Sequence, residues 1–253
     1  MRIKAVLIRI LVLVFLILLV NNARSDIYMK QKQHTDAMQM MGQSQPAQDL
    51  IIESWLTPGK MVTKSTKQKI VMDLNKKTVT IADHEKKTIA SMPLNFTKMI
   101  SQKDKKMTPQ DKADFQQFMG KMLQIKMTVK PTSENKKIGK WNCRKYNQTL
   151  EMAMGTVQSE IWASPDIKID KTLYTKFTAG MMAALPGMGQ NMGAVMKEME
   201  KIKGVQVSTK QTTTMMGQSF NSTTELLEYK EGKAPASAFT LPTGYKKAGP
   251  FKR

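Results

Sequence analysis

The sequence predicts a mainly β protein of the α+β class, in which an antiparallel sheet is interrupted by two helical segments. Two observations predict this class. Short runs of alternating apolar and polar residues, separated by turn-forming residues about every 8–12 positions, are typical of an antiparallel meander. Two longer segments instead place apolar residues at steps of three and four, the spacing of an amphipathic helix.

The chain begins with the pattern of a secretory signal, at residues 1–25. Three basic residues accompany or precede an unbroken apolar run at 10–20, and the small residues Ala23 and Ser25 follow it. This run is shorter than the roughly 20 residues that a membrane-spanning helix needs. We therefore predict cleavage after Ser25 and export to the periplasm. An uncleaved anchor that starts at Ala5 is the alternative.

Residues 27–94 alternate with the two-residue period of strands. Predicted strands lie at 27–32, 49–55, 70–74, 78–82 and 87–92, with 60–66 leading into the third. The segment up to Gln48 is predicted as a polar loop. Pro58 and Gly59 occupy the central positions of a predicted type II turn.

The rest of the chain adds the two helical segments and several strands. The first helical segment, 108–123, has Pro109 in its first turn, and the second, 181–203, has Gly204 placed to cap it. The apolar stripe of the second consists of Leu185, Met188, Met192, Val195, Met196, Met199 and Ile202. Further strands are predicted at 125–130, in a long pair between 138 and 163 that turns near Gly155, and at 205–214 and 219–229. Residues 26–253 are predicted to form one domain.

The chain is strongly basic: 40 Lys and Arg against 20 Asp and Glu residues give a formal net charge of +20. The lysines are scattered rather than interleaved with aromatic residues, and an exported protein rarely meets nucleic acid, so we predict no nucleic acid partner. This charge attracts anionic surfaces such as phospholipid headgroups, with screening at physiological salt. A solvated lysine-rich surface without a partner is the alternative.

The residue patterns of common metal and catalytic sites are missing from the sequence. Two histidines and one cysteine are too few for a structural zinc site, and neither His34 nor His84 lies beside a nucleophile motif. We therefore predict no enzyme activity, no metal site and no cofactor. Methionine pairs such as Met152 and Met154 leave a Met-based copper site as an alternative. Cys143 is predicted to be buried, and pairing with another molecule is the alternative.

Methionine is abundant, with 23 residues. Because its side chain is unbranched and polarizable, a methionine-lined surface repacks around ligands of different shapes. Methionine also substitutes for leucine in an ordinary core, and abundance does not separate the two interpretations. If the second helical segment lines a groove, the candidate ligand-binding residues are Met181, Met182, Leu185, Met188, Met192 and Met196.

Several short motifs follow one another along nearly the whole mature chain. They are Trp55-x-x-Pro58-x-Lys60-Met61, the stretch from Ile70 to Lys77, the stretch from Lys86 to Leu94, Gly139-x-Trp141-x-Cys143-x-Lys145-Tyr146, Glu160-Ile161-Trp162-Ala163-Ser164 and Phe239-x-Leu241-Pro242-x-Gly244-Tyr245. In order and spacing they resemble exported bacterial proteins of a domain-of-unknown-function family related to the LolA/LolB-like periplasmic lipoprotein carriers. The resemblance implies an antiparallel β half-barrel with helical insertions covering its concave, lipid-accommodating face. It also implies that residues 139–164 form a central strand pair in which Cys143 is packed.

Together these features predict a periplasmic, monomeric, non-enzymatic protein that binds a hydrophobic ligand, namely a lipid, an acyl chain or a lipoprotein, in a Met-rich groove. The basic surface favours anionic headgroups or an anionic membrane surface. The alternative is an envelope interaction or sensor module that binds a protein partner on its sheet and has a filled core.

Overall fold

The structure, a computed structural model, describes residues 26–40, 43–94, 108, 110, 125–153, 155–167, 173, 189–215 and 217–249. Its strands are β1 (Ile27–Thr35), β2 (Met38–Met40), β3 (Gln43–Gln45), β4 (Gln48–Leu56), β5 (Lys60–Lys64), β6 (Gln68–Asp73), β7 (Thr78–Asp83), β8 (Thr88–Pro93), β9 (Ile125–Ile138), β10 (Trp141–Met152), β11 (Gly155–Ser164), β12 (Val205–Met215), β13 (Gln218–Glu231) and β14 (Lys246–Ala248). An α-helix, α1 (Gly189–Met199), and a short 3-10 helix, η1 (Ala236–Phe239), complete the described elements.

The described strands form a twelve-stranded sheet in the order β14-β8-β7-β6-β5-β4-β1-β13-β12-β11-β10-β9, and β2 and β3 pair separately. Every pair in the large sheet is antiparallel except β14 with β8. The sheet is open, since its order begins at β14 and ends at β9. The mainly β, mostly antiparallel prediction is therefore confirmed.

The helical part of the prediction is only partly tested. The predicted helix at 108–123 lies outside the described residues, apart from 108 and 110. In the second predicted segment, α1 occupies the C-terminal part and ends at Met199, four residues before the predicted end. None of the helices in the described part of the chain combines the length and apolar character that a membrane span requires.

The hairpins between β6 and β8 form where the sequence placed polar turns. In the first turn the Asp73 carboxylate accepts the Lys76 N–H at 2.9 Å, and Lys77 adopts a positive φ of 53°. The second turn repeats this contact, with Asp83 accepting the Lys86 N–H at 2.8 Å. Aspartate side chains that bond the backbone in this way stabilise turns locally, so both hairpins are encoded by neighbouring residues.

Three predictions about local structure are wrong. Gly59 does not have the positive φ of a type II turn; instead the Thr57 hydroxyl accepts the Lys60 N–H at 2.9 Å and sets a different turn. The predicted polar loop before Gln48 contains the β2–β3 pair. The β10–β11 pair is not central, because only β9 separates it from the edge of the sheet.

One face of the sheet, which we call the inner face, carries the odd-numbered residues of β1. A row of cross-strand partners extends it from β1 to β11 through Gln33, Thr224, Thr209 and Ile161. Most of the described core lies on this face in two clusters, one centred on β1 and β4–β8 and the other on β9–β11.

The opposite, outer face of β5–β7 is covered by the C-terminal segment. The Lys69 ammonium donates to the Thr240 carbonyl at 2.6 Å, and the Lys60 ammonium lies 5.9 Å from the centre of the Phe239 ring. Beyond them, the His84 ring and the Tyr245 hydroxyl are hydrogen-bonded at 2.8 Å. Residues 239–245 of the C-terminal segment therefore pack on the outer face of the sheet, opposite the inner face.

Helix α1 packs on the inner face at the β9 end. Val195, Met199 and the following Ile202 are buried among apolar side chains of β9–β11, as the predicted stripe requires. The Glu198 carboxylate accepts the Val129 backbone N–H at 2.7 Å. Because β9 is the last strand of the described sheet, this bond satisfies a main-chain donor that no described strand pairs.

Gly204 is required where the chain leaves the helix for β12. It has a φ of 89°, and a Cβ atom there would lie 1.8 Å from the Ser164 carbonyl oxygen.

We predict that Gly204→Ala destabilises the protein by at least about 2 kcal/mol, from backbone strain and this clash. Chemical denaturation measures the change in the free energy of unfolding. Gly193→Ala is the control: it lies in α1 with open space around its Cα, so it should be neutral or stabilise by up to about 1 kcal/mol. Equal effects of the two changes would contradict the role of Gly204.

Glu198 should make stability depend on pH. Its bonds to the Lys201 ammonium and then to the Val129 N–H lower its pKa. A lowered folded-state pKa stabilises the fold above the ordinary glutamate pKa, about 4.3, and this contribution is lost as pH falls through the folded value. We predict that Glu198→Gln lowers Tm by roughly 2–4 °C at pH 7 and by less at pH 3. Thermal denaturation at both pH values measures these Tm changes, with Glu200→Gln at an exposed position as the control. A Tm difference that is the same at pH 3 and pH 7 would refute it.

Candidate functional site

An apolar row crosses the inner face on β1 and β4–β8. Consecutive cross-strand partners form it: Ile27, Leu56, Met61, Met72, Val79 and Met92. The first five side chains are at most 3% exposed, and Met92 is half-buried. With neighbouring strands 4.7–4.9 Å apart, six strands give the row a width of roughly 24 Å. The row is therefore a continuous apolar stripe across six strands.

The described methionines bear on the choice between a core and a groove. Met29, Met61, Met72, Met127, Met199 and Met215 are all buried, and all but Met199 are strand residues. At these positions methionine serves as an ordinary core residue, with the adaptability that its unbranched side chain gives. These six residues support the core interpretation. The groove interpretation depends on other methionines.

Most of the predicted ligand-binding residues cannot be located. Met181, Met182, Leu185 and Met188 lie outside the described residues. Met192 belongs to α1, but its side chain is outside the described part, and Met196 is half-buried on the same helix. The predicted Met-rich mouth therefore stays a prediction.

The middle of the inner face is polar, a feature that the sequence analysis missed. Seven buried polar residues lie there on β1, β13, β12, β11 and β10: Gln31, Ser222, Thr224, Thr209, Thr213, Ser159 and Gln148. We call them the polar strip. Its signal was visible in the sequence, where Thr209, Gln211 and Thr213 of β12 occupy alternate positions, as do Ser222 and Thr224 of β13.

Several side chains of the polar strip have no polar partner in the described structure. Thr209 donates to Gln206 Oε1 at 3.3 Å, and Gln148 contacts the Met127 sulfur at 3.5 Å. Within the described ranges, Gln31 and Ser159 have no side-chain hydrogen bond. Buried polar groups are usually paired, because burying one without a partner costs free energy. The strip therefore suits a water or a ligand that carries polar atoms.

Cys143 is buried and packed, as predicted. Its side chain is 3% exposed, and its sulfur lies 3.6 Å from the Trp141 carbonyl oxygen. Burial raises the pKa of the Cys143 thiol, which reduces the thiolate fraction at neutral pH. Since the thiolate is the nucleophile, this environment disfavours reaction.

The His34 ring lies between two carboxylates. Each ring nitrogen of His34 lies 3.2 Å from a carboxylate oxygen, Nδ1 from Asp49 and Nε2 from Asp36. Asp36 also accepts from the Asn221 side chain at 3.1 Å. No group of three or more His, Cys, Asp and Glu side chains that could hold a metal ion occurs within the described residues.

A second unforeseen feature is a cleft of about 540 Å³ beside the β9–β10 hairpin. Its described lining is Asn135, Lys136, Lys137, Asn142, Cys143, Arg144, Tyr146, Pro165 and Lys203. We call it the hairpin cleft. In the sequence its basic residues belong to the scattered lysines and arginines, because Lys203 is distant from Lys136, Lys137 and Arg144.

No protein-family model matches the chain, and no curated protein matches it. One similar solved structure is a Vibrio parahaemolyticus domain named for outer membrane lipoprotein sorting. It is 6% identical, the similarity covers 83% of this chain and 87% of that one, and the TM-score is 0.30. A TM-score this low does not establish a shared fold.

Proposed function

We propose that this protein is an exported, periplasmic, non-enzymatic protein that binds a hydrophobic ligand against the inner face of its sheet. The ligand class is a lipid, an acyl chain or a lipoprotein. The observation that carries the proposal is the position of the apolar row beside the polar strip on one face of an open sheet. An amphiphile presents both kinds of surface, so it matches the two neighbouring regions.

The energetics of an acyl chain fit this proposal. Each buried CH2 group contributes about 0.8 kcal/mol, so ten groups contribute roughly 8 kcal/mol, comparable to a micromolar complex before the costs of association. Met92, the half-buried methionine at the end of the row, supplies a side chain that adapts to the shape of an acyl chain. In this proposal Met181, Met182, Leu185, Met188, Met192 and Met196 line the mouth.

A second candidate is an envelope interaction or sensor module with a filled core. The observation that favours it is the burial of the row itself, since Ile27, Leu56 and Met72 are at most 2% exposed without any ligand. A side chain that other residues already cover offers no surface to an acyl chain unless those residues move. The two candidates therefore differ in whether the inner face can be opened.

A change at the end of the inner face tests the proposal. Ala90 of β8 is half-buried on this face, opposite Ile81, whereas the neighbouring Ser91 is exposed on the outer face. We predict that Ala90→Trp weakens binding of a dansylated fatty acid at least about tenfold, equivalent to about 1.4 kcal/mol. Ser91→Trp should leave binding unchanged. Fluorescence titration of the full-length protein measures both, and thermal denaturation confirms that both variants fold.

Native mass spectrometry of the protein from its own membranes separates the two candidates. A hydrophobic-ligand protein should carry co-purified lipid, and Ala90→Trp should reduce the lipid-bound fraction. Ligand-free spectra from repeated lipid-rich preparations, together with no binding of the fatty acid probe, would contradict the proposal and favour the filled core.

A further inference from the structure

The β9–β10 ladder is irregular next to the hairpin cleft. Asn135 pairs with Arg144, but the next pair joins Pro131 to Tyr146, so residues 132–134 lie opposite Lys145 alone. A side-chain hydrogen bond holds this segment, since Thr132 Oγ1 donates to the Lys145 carbonyl at 3.0 Å. Irregularities of this kind often change the direction of side chains next to functional sites. Here Asn135, Arg144 and Tyr146, the residues that flank the irregularity, also line the cleft.

Four cationic side chains line the cleft, two from β9, one from β10 and one from the segment after α1. They are Lys136, Lys137, Arg144 and Lys203. Within the described part of the chain, none of the four forms an ion pair with a carboxylate. The cleft therefore has a concentrated positive charge, unlike the scattered lysines elsewhere.

The nearby carboxylates are occupied by other groups. Glu134 and Glu160 both pair with Lys145, at 3.1 and 3.0 Å. Asp166 accepts from the backbone and side-chain nitrogens of Asn142, at 3.3 and 3.1 Å. None of these three carboxylates belongs to the described lining of the cleft.

Three of the cations are held in position. The Arg144 Nε–H donates to the Thr132 carbonyl at 2.8 Å, which leaves the terminal guanidinium nitrogens for another acceptor. The Lys203 ammonium donates to the Glu200 carbonyl at 2.7 Å, and the Lys136 ammonium lies 3.9 Å from the centre of the Trp162 ring. Guanidinium and ammonium groups are the side-chain groups that bind phosphate oxygens.

We propose that the hairpin cleft binds a phosphate-bearing anion of headgroup size. The cleft volume of about 540 Å³ exceeds the space of one phosphate. The phosphate could belong to a soluble phosphoester or to a phospholipid at a membrane surface, and the recognising chemistry is the same. This inference goes beyond the proposed function, because the cleft residues are separate from the apolar row and need no acyl chain.

The test uses the full-length protein with two probes, glycerol 3-phosphate and vesicles of phosphatidylcholine with or without phosphatidylglycerol. We predict saturable binding of glycerol 3-phosphate that the double change Arg144→Gln, Lys203→Gln weakens at least about tenfold. The matched control is Lys86→Gln, Lys87→Gln, which removes the same charge at the exposed β7–β8 turn. It should leave binding nearly unchanged. Raising the salt concentration should weaken binding to the original protein.

The vesicle arm identifies the source of the phosphate. Binding to phosphatidylglycerol vesicles that the cleft variant loses and the control keeps supports a lipid headgroup. Binding of glycerol 3-phosphate without vesicle binding supports a soluble phosphoester. Failure to bind either probe, or equal loss in both variants, would overturn the proposal. The dansylated fatty acid titration, repeated on the cleft variant, reports separately on the proposed function.

Discussion

The structure depends on strand β1 being paired along both of its edges. All nine of its residues have partners in β4, and they also have partners in β13, more than 180 positions later in the chain. Strands β4–β8 form one meander and β9–β13 form another, and β1 is the strand that joins them. Without these two ladders the inner face would be divided, and the apolar row and the polar strip would not share a surface.

The inner face has different chemistry in its middle and at its sides. Towards β8 it is apolar and rich in methionine, and towards β9 it is apolar again under α1. Between them lies the polar strip, where Gln31 and Ser159 are buried without a hydrogen-bond partner in the described structure. An ordinary sheet core favours apolar residues throughout, because unpaired buried polar groups are costly. The middle of the face is thus where a bound molecule would offset the largest cost.

Local features of the sequence were sufficient for the hairpins but not for the site. The β6–β8 turns were predictable because Asp73 and Asp83 bond residues three positions away. The pairing of β1 with β13 had no local signal, since register between distant strands is set by packing. The turn at Gly59 was mispredicted because the Thr57 hydroxyl, rather than glycine's conformational freedom, determines it. The hairpin cleft was missed because Lys203 comes from a segment that is distant in sequence from β9 and β10.

The open edges of the sheet give the lysine-rich composition a further meaning. Exposed backbone on an edge strand can recruit another strand, and charged side chains oppose this association. β14 is short and contributes Lys246 and Lys247, while exposed lysines of β9 include Lys126 and Lys130. Together with the capping of Val129 by Glu198, these charges would oppose end-to-end growth into fibrils. These four lysines would thus help to protect the protein against self-assembly.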